Sequence, residues 1–239
     1  MRYLRCGWHL LNLLLATVIL GTLALFVGLS DPRKKYSGFI ARTWARYILW
    51  ITRLPYTVHG LENLKPKQKY IFVGNHESAL DIPIALATLP YNIVFMAKKE
   101  LFRIPLFGWA MWAVGMIRVD RQNREQAKLS VQRALDKIAR QEISVLVYPE
   151  GTRTYTGEMQ RFKKGSFILA IQTGLPVVPI TICGAFDVVP KKSLVLKQGM
   201  VELFIDPPLP TADLTLADRD QLMQNTREII LARKKSQQR

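Results

Sequence analysis

The alternation of apolar and polar positions splits the chain into two unequal parts. From Leu10 to Leu29 the run LLNLLLATVILGTLALFVGL carries no charge over 20 residues, about the length a helix needs to cross a bilayer core. It is long for the apolar part of a signal peptide, and VGLSDPRKK after it lacks an A-x-A cleavage pattern, so the run reads as an uncleaved anchor. Arg2 and Arg5 precede it, whereas Arg33, Lys34, Lys35, Arg42 and Arg46 follow, an asymmetry that places the bulk of the chain on the cytoplasmic side. In FIARTWARYILWITR, residues 39 to 53, Ile40, Trp44, Tyr47, Ile48 and Ile51 recur at helical spacing while Arg42 and Arg46 lie one turn apart on another face. The expectation is an interfacial helix with aromatic and guanidinium anchors; the plainer alternative is a helix packed on the domain with its arginines in solvent. Residues 1–56 thus read as a two-helix membrane attachment, either spanning or lying in one leaflet.

After the connector RLPYTVHGLENLKPKQ, short apolar runs alternate with helical patterns. YIFVG (70–74), NIVFMA (92–97), GMIRV (115–119), SVLVYP (144–149), PVVPITI (176–182) and VELFI (201–205) predict strands, several of them apolar enough to be buried on both faces. Ala127, Val131, Ala134, Leu135 and Ile138 trace one face of a helix from about Arg124 to Arg140. The pattern predicts an α/β domain over residues 57–239, with a mixed, mostly parallel central sheet flanked by helices. A last helix, about Leu216 to Arg233, runs into the basic tail RKKSQQR, read as a solvated terminus.

Charge narrows the partners. The 34 basic residues against 18 acidic ones leave a net +16, which calls for anionic partners or an anionic support: nucleic acid, an acidic leaflet or a phosphorylated substrate. No DNA-reading helix pattern or RNA-binding signature occurs, so nucleic acid is not expected. Cys6 and Cys183 fit neither a disulfide framework nor a C-x-x-C pattern, and no structural metal is expected.

Three clusters at predicted strand ends carry candidate chemistry, where ligands usually bind in open α/β sheets. In VGNHESALDIP, residues 73 to 83, His76 and Asp81 stand five apart, too far around a regular helix to meet, so the pair must straddle a bend after Gly74. Ser78 or Asp81 could cap the following helix, which holds Pro83 in its first turns. An imidazole oriented by a carboxylate, with no G-x-S-x-G turn anywhere to supply a nucleophile, suits direct activation of a substrate hydroxyl or water. A capping Asp81 beside a half-buried His76 is the structural alternative. YPEGTRTYTGEMQRFKKGSFILA, residues 148 to 170, offers Glu150, Gly151, Thr152 and Arg153 as parts of a phosphate-monoester site, with Lys163, Lys164 and a helix opening at Gly165 behind them. It is not a Walker A loop, and a local Glu150 to Arg153 ion pair is the alternative. VGMIRVDRQ adds Arg118 and Arg121, with an Arg118 to Asp120 pairing as the structural reading, while MAKKELFRIPLFGWAMWAVG adds Lys98, Lys99 and Arg103 beside an apolar, aromatic stretch. Cations next to an apolar surface suit an amphiphile.

Taken in order, these segments resemble the glycerolipid acyltransferase family, specifically the bacterial lysophosphatidate acyltransferases, over about residues 38 to 210. NHESALD is similar to the family's N-H-x-S-x-x-D block, GMIRVDR to its G-x-[IF]-F-I-[RD]-[RQ] block, YPEGTRT to its F-P-E-G-T-R-S block and LPVVPI to its V-P-V-x-P-[VI] block; KKELFRIPLFGWA also matches. The resemblance implies that His76, oriented by Asp81, takes the proton of a lysolipid hydroxyl as it attacks the thioester of acyl-CoA or acyl-carrier protein, forming phosphatidate. It implies that Glu150, Gly151, Thr152 and Arg153 hold the glycerol-phosphate, helped by Arg121, Arg118 and Lys98 or Lys99, and that the LPVVPI block lines the acyl or substrate groove. No metal or redox cofactor is implied. Glu77 stands where arginine or glutamine is common and Arg118 replaces the usual phenylalanine, which leaves another lysophospholipid or a lyso-aminolipid as the rival acceptor. A membrane-tethered binder of acidic lipid or nucleic acid, without catalysis, is the reading from another class.

Overall fold

The structure, a computed structural model, describes residues 2–120, 123–193 and 195–237. Seven strands form one sheet: β1 (Tyr56–His59), β2 (Ile71–Gly74), β3 (Ile93–Lys98), β4 (Ile117–Val119), β5 (Ser144–Val147), β6 (Val177–Cys183) and β7 (Val201–Ile205), in the spatial order β1-β7-β6-β2-β5-β3-β4. Neighbours run parallel except β6 and β7, which are antiparallel. Central β2 is buried at all four positions, so its apolar residues pack on both faces, as the continuous run IFVG required.

The helices are α1 (Arg2–Leu29), α2 (Lys35–Thr52), α3 (Asp81–Thr88), α4 (Phe107–Ala113), α5 (Arg124–Arg140), α6 (Gly165–Thr173), α7 (Ala185–Val188) and α8 (Arg219–Gln237). The apolar stripe of α5 gave its span residue for residue, whereas α8 starts and ends a few residues beyond the expected limits. β1 was read as connector. None of its four residues is buried, so this edge strand leaves no apolar run to detect.

Cys6–Leu29 within α1 is long and apolar enough to cross a membrane. Its small residues nonetheless press against the domain: a Cβ on Gly28 would stand 2.8 Å from the Ala113 carbonyl oxygen, and one on Gly21 3.4 Å from Ala110 Cβ. Tyr47 Oη donates to Asn12 Oδ1 at 2.8 Å and Trp44 Nε1 to Thr17 Oγ1 at 3.0 Å, joining α1 to α2. One core runs from Ala24, Ile40, Ala45 and Leu49 of these helices into the sheet.

The arginines of α2 favour the alternative of a helix packed on the domain, although Arg46 also stays exposed. Arg42 Nη1 donates to the Tyr91 carbonyl at 2.8 Å and Arg46 Nε to the Ala87 carbonyl at 3.4 Å, so both tie the helix to the domain. Large apolar side chains are nonetheless bare: Ile19, Phe26 and Leu29 of α1, Phe39 and Trp50 of α2, and Trp109 and Trp112 of α4 are all exposed.

Candidate active site

The strand order decides which loops meet. β6, β2, β5, β3 and β4 are successive parallel neighbours, so the segments leaving β2 and β5 lie side by side although 74 positions separate His76 from Glu150. The β2–α3 loop is shaped by its own polar residues. Asn75 behaves as one more rung of the sheet: its Nδ2 donates to the Ile182 carbonyl and its Oδ1 accepts the Ile182 N–H, both at 2.8 Å. Ser78 Oγ donates to the Val189 carbonyl at 2.7 Å and accepts the Leu80 N–H at 3.2 Å.

Neither Ser78 nor Asp81 caps α3, contrary to expectation. Leu80 is the N-cap and offers no side-chain bond, while Asp81 is the first helical residue and folds its carboxylate backward. One oxygen, Oδ2, accepts from Glu77 N–H at 2.7 Å and Ser78 N–H at 2.9 Å and lies 2.7 Å from His76 Nδ1. Oδ1 is buried and has no hydrogen-bond partner among the described residues. The bend therefore does what a regular helix could not: it brings His76 and Asp81 together.

Asp81 is fully buried, and desolvation pushes its carboxyl above the ordinary range; the bond and charge of His76, the Ser78 N–H and the charge of Arg153 pull it back. Its ionised form is thus best tolerated when the neighbouring imidazole is positive. The His76 ring stacks on Tyr148, centroids 4.3 Å apart, and its side chain is 13% exposed, so it reaches the surface. Nε2 makes no hydrogen bond among the described residues. Burial, reinforced by Asp81, drives the Tyr148 hydroxyl well above its ordinary range, so this residue supplies a neutral face for the ring.

Glu150 has a different place from the local ion pair considered for it. It neither pairs with Arg153 nor faces outward: its Oε1 accepts the His76 N–H at 2.7 Å and its Oε2 the Gln160 N–H at 2.8 Å. Desolvation lifts its carboxyl to about 7, against the pull of those two N–H groups. Both carboxyl oxygens of Glu150 are thus engaged by backbone N–H groups, and the side chain ties the His76 loop to its own loop. Thr154 N–H donates to the His76 carbonyl at 3.0 Å and locks the same two loops.

The remaining candidates separate into free and engaged cations. The Arg153 guanidinium makes no hydrogen bond or ion pair among the described residues, yet its charge is felt at Asp81. Gly151 adopts φ +75°, and a Cβ there would lie 3.0 Å from Lys163 Nζ, which brings that ammonium to the loop. Thr152 is exposed, and its Oγ1 accepts from Lys191 Nζ at 2.9 Å. Lys191 also donates to the Arg153 carbonyl at 2.8 Å and sits 3.5 Å from the Tyr155 ring centre. Its sequence position, outside every recognised block, concealed it.

Lys164 pairs with Asp220 at 3.1 Å on the exposed surface. Lys99 pairs with Asp120 at 2.6 Å, which replaces the expected Arg118 to Asp120 contact as the observed pairing of that carboxylate. Lys98 and Arg118 are exposed at the ends of neighbouring β3 and β4, with Lys98 3.6 Å from Glu100. Arg121 lies outside the described residues. The LPVVPI block does not line a groove: Val177, Val178 and Ile180 are completely buried in β6.

An apolar cavity of about 130 Å³ lies between α1–α4 and the sheet, lined among others by Leu20, Trp44, Ile82, Leu86, Phe95 and Met111. Two of its lining residues neighbour the dyad's surroundings: Phe95 stacks on Tyr148 at 6.2 Å, and Ile82 follows Asp81 in the chain. Among the described residues no group of three or more His, Cys, Asp or Glu converges as a metal-ligand set. The arrangement offers a proton acceptor with one nitrogen free, a cation whose charge reaches its carboxylate partner, and an apolar cavity in the same domain.

The family model described as Acyltransferase matches residues 55–183. The chain is 33% identical over 192 residues to human 1-acyl-sn-glycerol-3-phosphate acyltransferase alpha, covering 80% of this chain and 68% of that one. It is 36% identical over 190 residues to the chloroplastic 1-acyl-sn-glycerol-3-phosphate acyltransferase LPAT1 of Arabidopsis thaliana, covering 77% of this chain and 52% of that one. Its fold is similar to the crystal structure of the 1-acyl-sn-glycerophosphate acyltransferase PlsC from Thermotoga maritima, with a TM-score of 0.81 and 26% identity over 96% of this chain and 92% of that one.

Proposed function

The chain belongs to the acyltransferase family, and on that footing we propose that it acylates lysophosphatidate to phosphatidate with His76 as the base. The observation that carries the reading is the 2.7 Å contact between His76 Nδ1 and the buried Asp81, which leaves Nε2 uncommitted among the described residues, with the Arg153 charge felt at Asp81. Nε2 takes the proton of the sn-2 hydroxyl as that oxygen attacks the thioester carbonyl of acyl-CoA or acyl-carrier protein. The tetrahedral intermediate collapses with cleavage of the C–S bond, and the imidazolium returns its proton to the departing thiolate. Asp81 stabilises the imidazolium in between. Positioning two bound reactants supplies roughly 7–11 kcal/mol of barrier reduction, more than the base alone.

Arg153 binds the acceptor phosphate, with Lys163 and Lys98 as supporting cations and Arg118 at the rim. The apolar cavity behind Phe95 receives the first part of an acyl chain. Exposed Phe26, Leu29, Phe39, Trp109 and Trp112 fit a lipid surface, and α1 rests on α2 at Asn12 and on α4 at Gly21 and Gly28, which supports helices that lie in one leaflet. The charge asymmetry around α1 assigns that leaflet to the cytoplasmic face of the inner membrane.

The test is to incubate the purified protein in vesicles with palmitoyl-CoA and a panel of lysophosphatidate, lysophosphatidylcholine and a lyso-aminolipid, with mass detection of products. Phosphatidate should dominate. Acylation of a neutral lysolipid without acylation of lysophosphatidate would overturn the assignment of the acceptor, and no acylation at all would leave a binding protein.

A further inference from the structure

Glu77 and Lys234 are 157 positions apart, yet their side chains are 4% and 11% exposed and form an ion pair. The tail that includes Lys234 was expected to be solvated; instead, the last turns of α8 turn inward. Lys234 Nζ also donates to the Gly157 carbonyl at 2.9 Å. Both partners belong to the site. Glu77 follows His76 and donates its N–H to Asp81 Oδ2 at 2.7 Å, while Gly157 N–H is held by Thr154 Oγ1 at 3.2 Å in the loop that bears Arg153. One ammonium therefore spans the loop of the base and the loop of the phosphate cation.

The helix that delivers it is itself fixed. Arg233 Nη2 donates to Asp206 Oδ1 at 2.6 Å, just past β7, and its guanidinium carbon lies 5.2 Å from the Phe204 ring centre. A buried ion pair contributes little net stability, because the attraction is largely offset by desolvation of both charges. Its geometric effect is larger, since two charges with no water between them tolerate few arrangements.

We propose that Lys234 is a positioning residue for acyl transfer, setting the spacing of His76 and Arg153 through Glu77 and the Gly157 carbonyl. This rests on the reading of the site given above. The acceptor is the substrate that must touch both loops, held at its phosphate by one and at its hydroxyl by the other. Loosening the clamp should therefore penalise the acceptor and spare the acyl donor.

The experiment uses the full chain in phosphatidylcholine–phosphatidylglycerol vesicles and measures kcat, KM for each substrate and Tm. It compares wild type, His76→Ala, Lys234→Met and the double variant Glu77→Gln/Lys234→Gln. Lys234→Met strands a buried carboxylate and should lower Tm; the neutral double variant removes that penalty and keeps the test alive if the single variant fails to fold. For the double variant, kcat/KM toward lysophosphatidate should fall about 10- to 100-fold with the KM for palmitoyl-CoA unchanged. Wild-type constants in the double variant, or equal changes in both KM values tracking a loss of Tm, would overturn the clamp. An inactive His76→Ala beside an unaffected double variant would sink the clamp alone, whereas an active His76→Ala would sink the reading of the site and the clamp with it.

Discussion

Between Gly74 and Asp81, Asn75 bonds to β6, Glu77 to α8 and Ser78 to the Val189 carbonyl, and the His76 N–H is held by Glu150. Between Gly151 and Gly157, Thr154 is similarly committed, but Thr152 is exposed and Arg153 keeps its guanidinium without a hydrogen bond or ion pair among the described residues. The neighbouring loops are thus built to different standards. Proton transfer from a hydroxyl depends on placement of one nitrogen, which fixed side chains provide. Capture of a phosphate on a mobile lipid is served by an arginine fork that closes on its ligand.

The largest effect expected from breaking the rigid side is in Asp81→Asn. The replacement can still accept the Glu77 and Ser78 N–H groups but cannot stabilise an imidazolium, so kcat should fall by roughly 10²-fold or more with Tm little changed. Steady-state kinetics and thermal unfolding on the same preparation would check it. An equal loss of both would make Asp81 a purely structural helix residue.

Glu150 sharpens the comparison through pH. Its carboxyl is raised to about 7, chiefly by burial. A raised carboxyl contributes most to stability below the ordinary carboxyl range, and that contribution is lost as pH rises through about 7. From the ordinary 4.5 to about 7 the shift corresponds to roughly 3 kcal/mol at most. The Tm of wild type should decline between pH 5 and 8, and Glu150→Gln, lower at the outset because it loses an acceptor, should show a flatter profile. Parallel profiles would mean that Glu150 does not titrate in this range.

On the open side, Arg153→Ala deletes charge-assisted bonds worth about 1.5–3 kcal/mol, so KM for lysophosphatidate should rise about 10- to 100-fold while KM for the acyl donor stays put. Response of the donor alone would reassign this loop. Smaller again, Asn75→Ala frees one buried N–H and one buried carbonyl of Ile182 and should lower stability by about 1–3 kcal/mol, read as Tm, with kcat reduced only as far as the His76 loop loosens.

The same contrast explains what could be read in the amino-acid order. Strands buried on both faces announce themselves as apolar runs, and the stripe of α5 fixes both its ends. β1 gives no such signal because all four of its residues keep some exposure at the edge. In the site, residue types and the bend after Gly74 pointed to the His76–Asp81 pair, which is a local relation of five positions. The tasks of Glu150, Lys191 and Lys234 were hidden, since each depends on a partner 38 to 157 positions away. The pairing of Lys99 was hidden for the same reason: its carboxylate partner Asp120 lies 21 positions on, beyond α4 and β4. Local chemistry can be read from spacing, whereas the fixing of that chemistry by distant backbone requires the fold.

The most direct test of the central claim is acyl transfer by His76→Ala in vesicles supplied with lysophosphatidate and palmitoyl-CoA, measured alongside its lysophosphatidate binding and its Tm. Loss of turnover by roughly 10²–10⁴-fold, with binding and unfolding close to wild type, is the predicted result. Turnover near the wild-type rate would contradict the account.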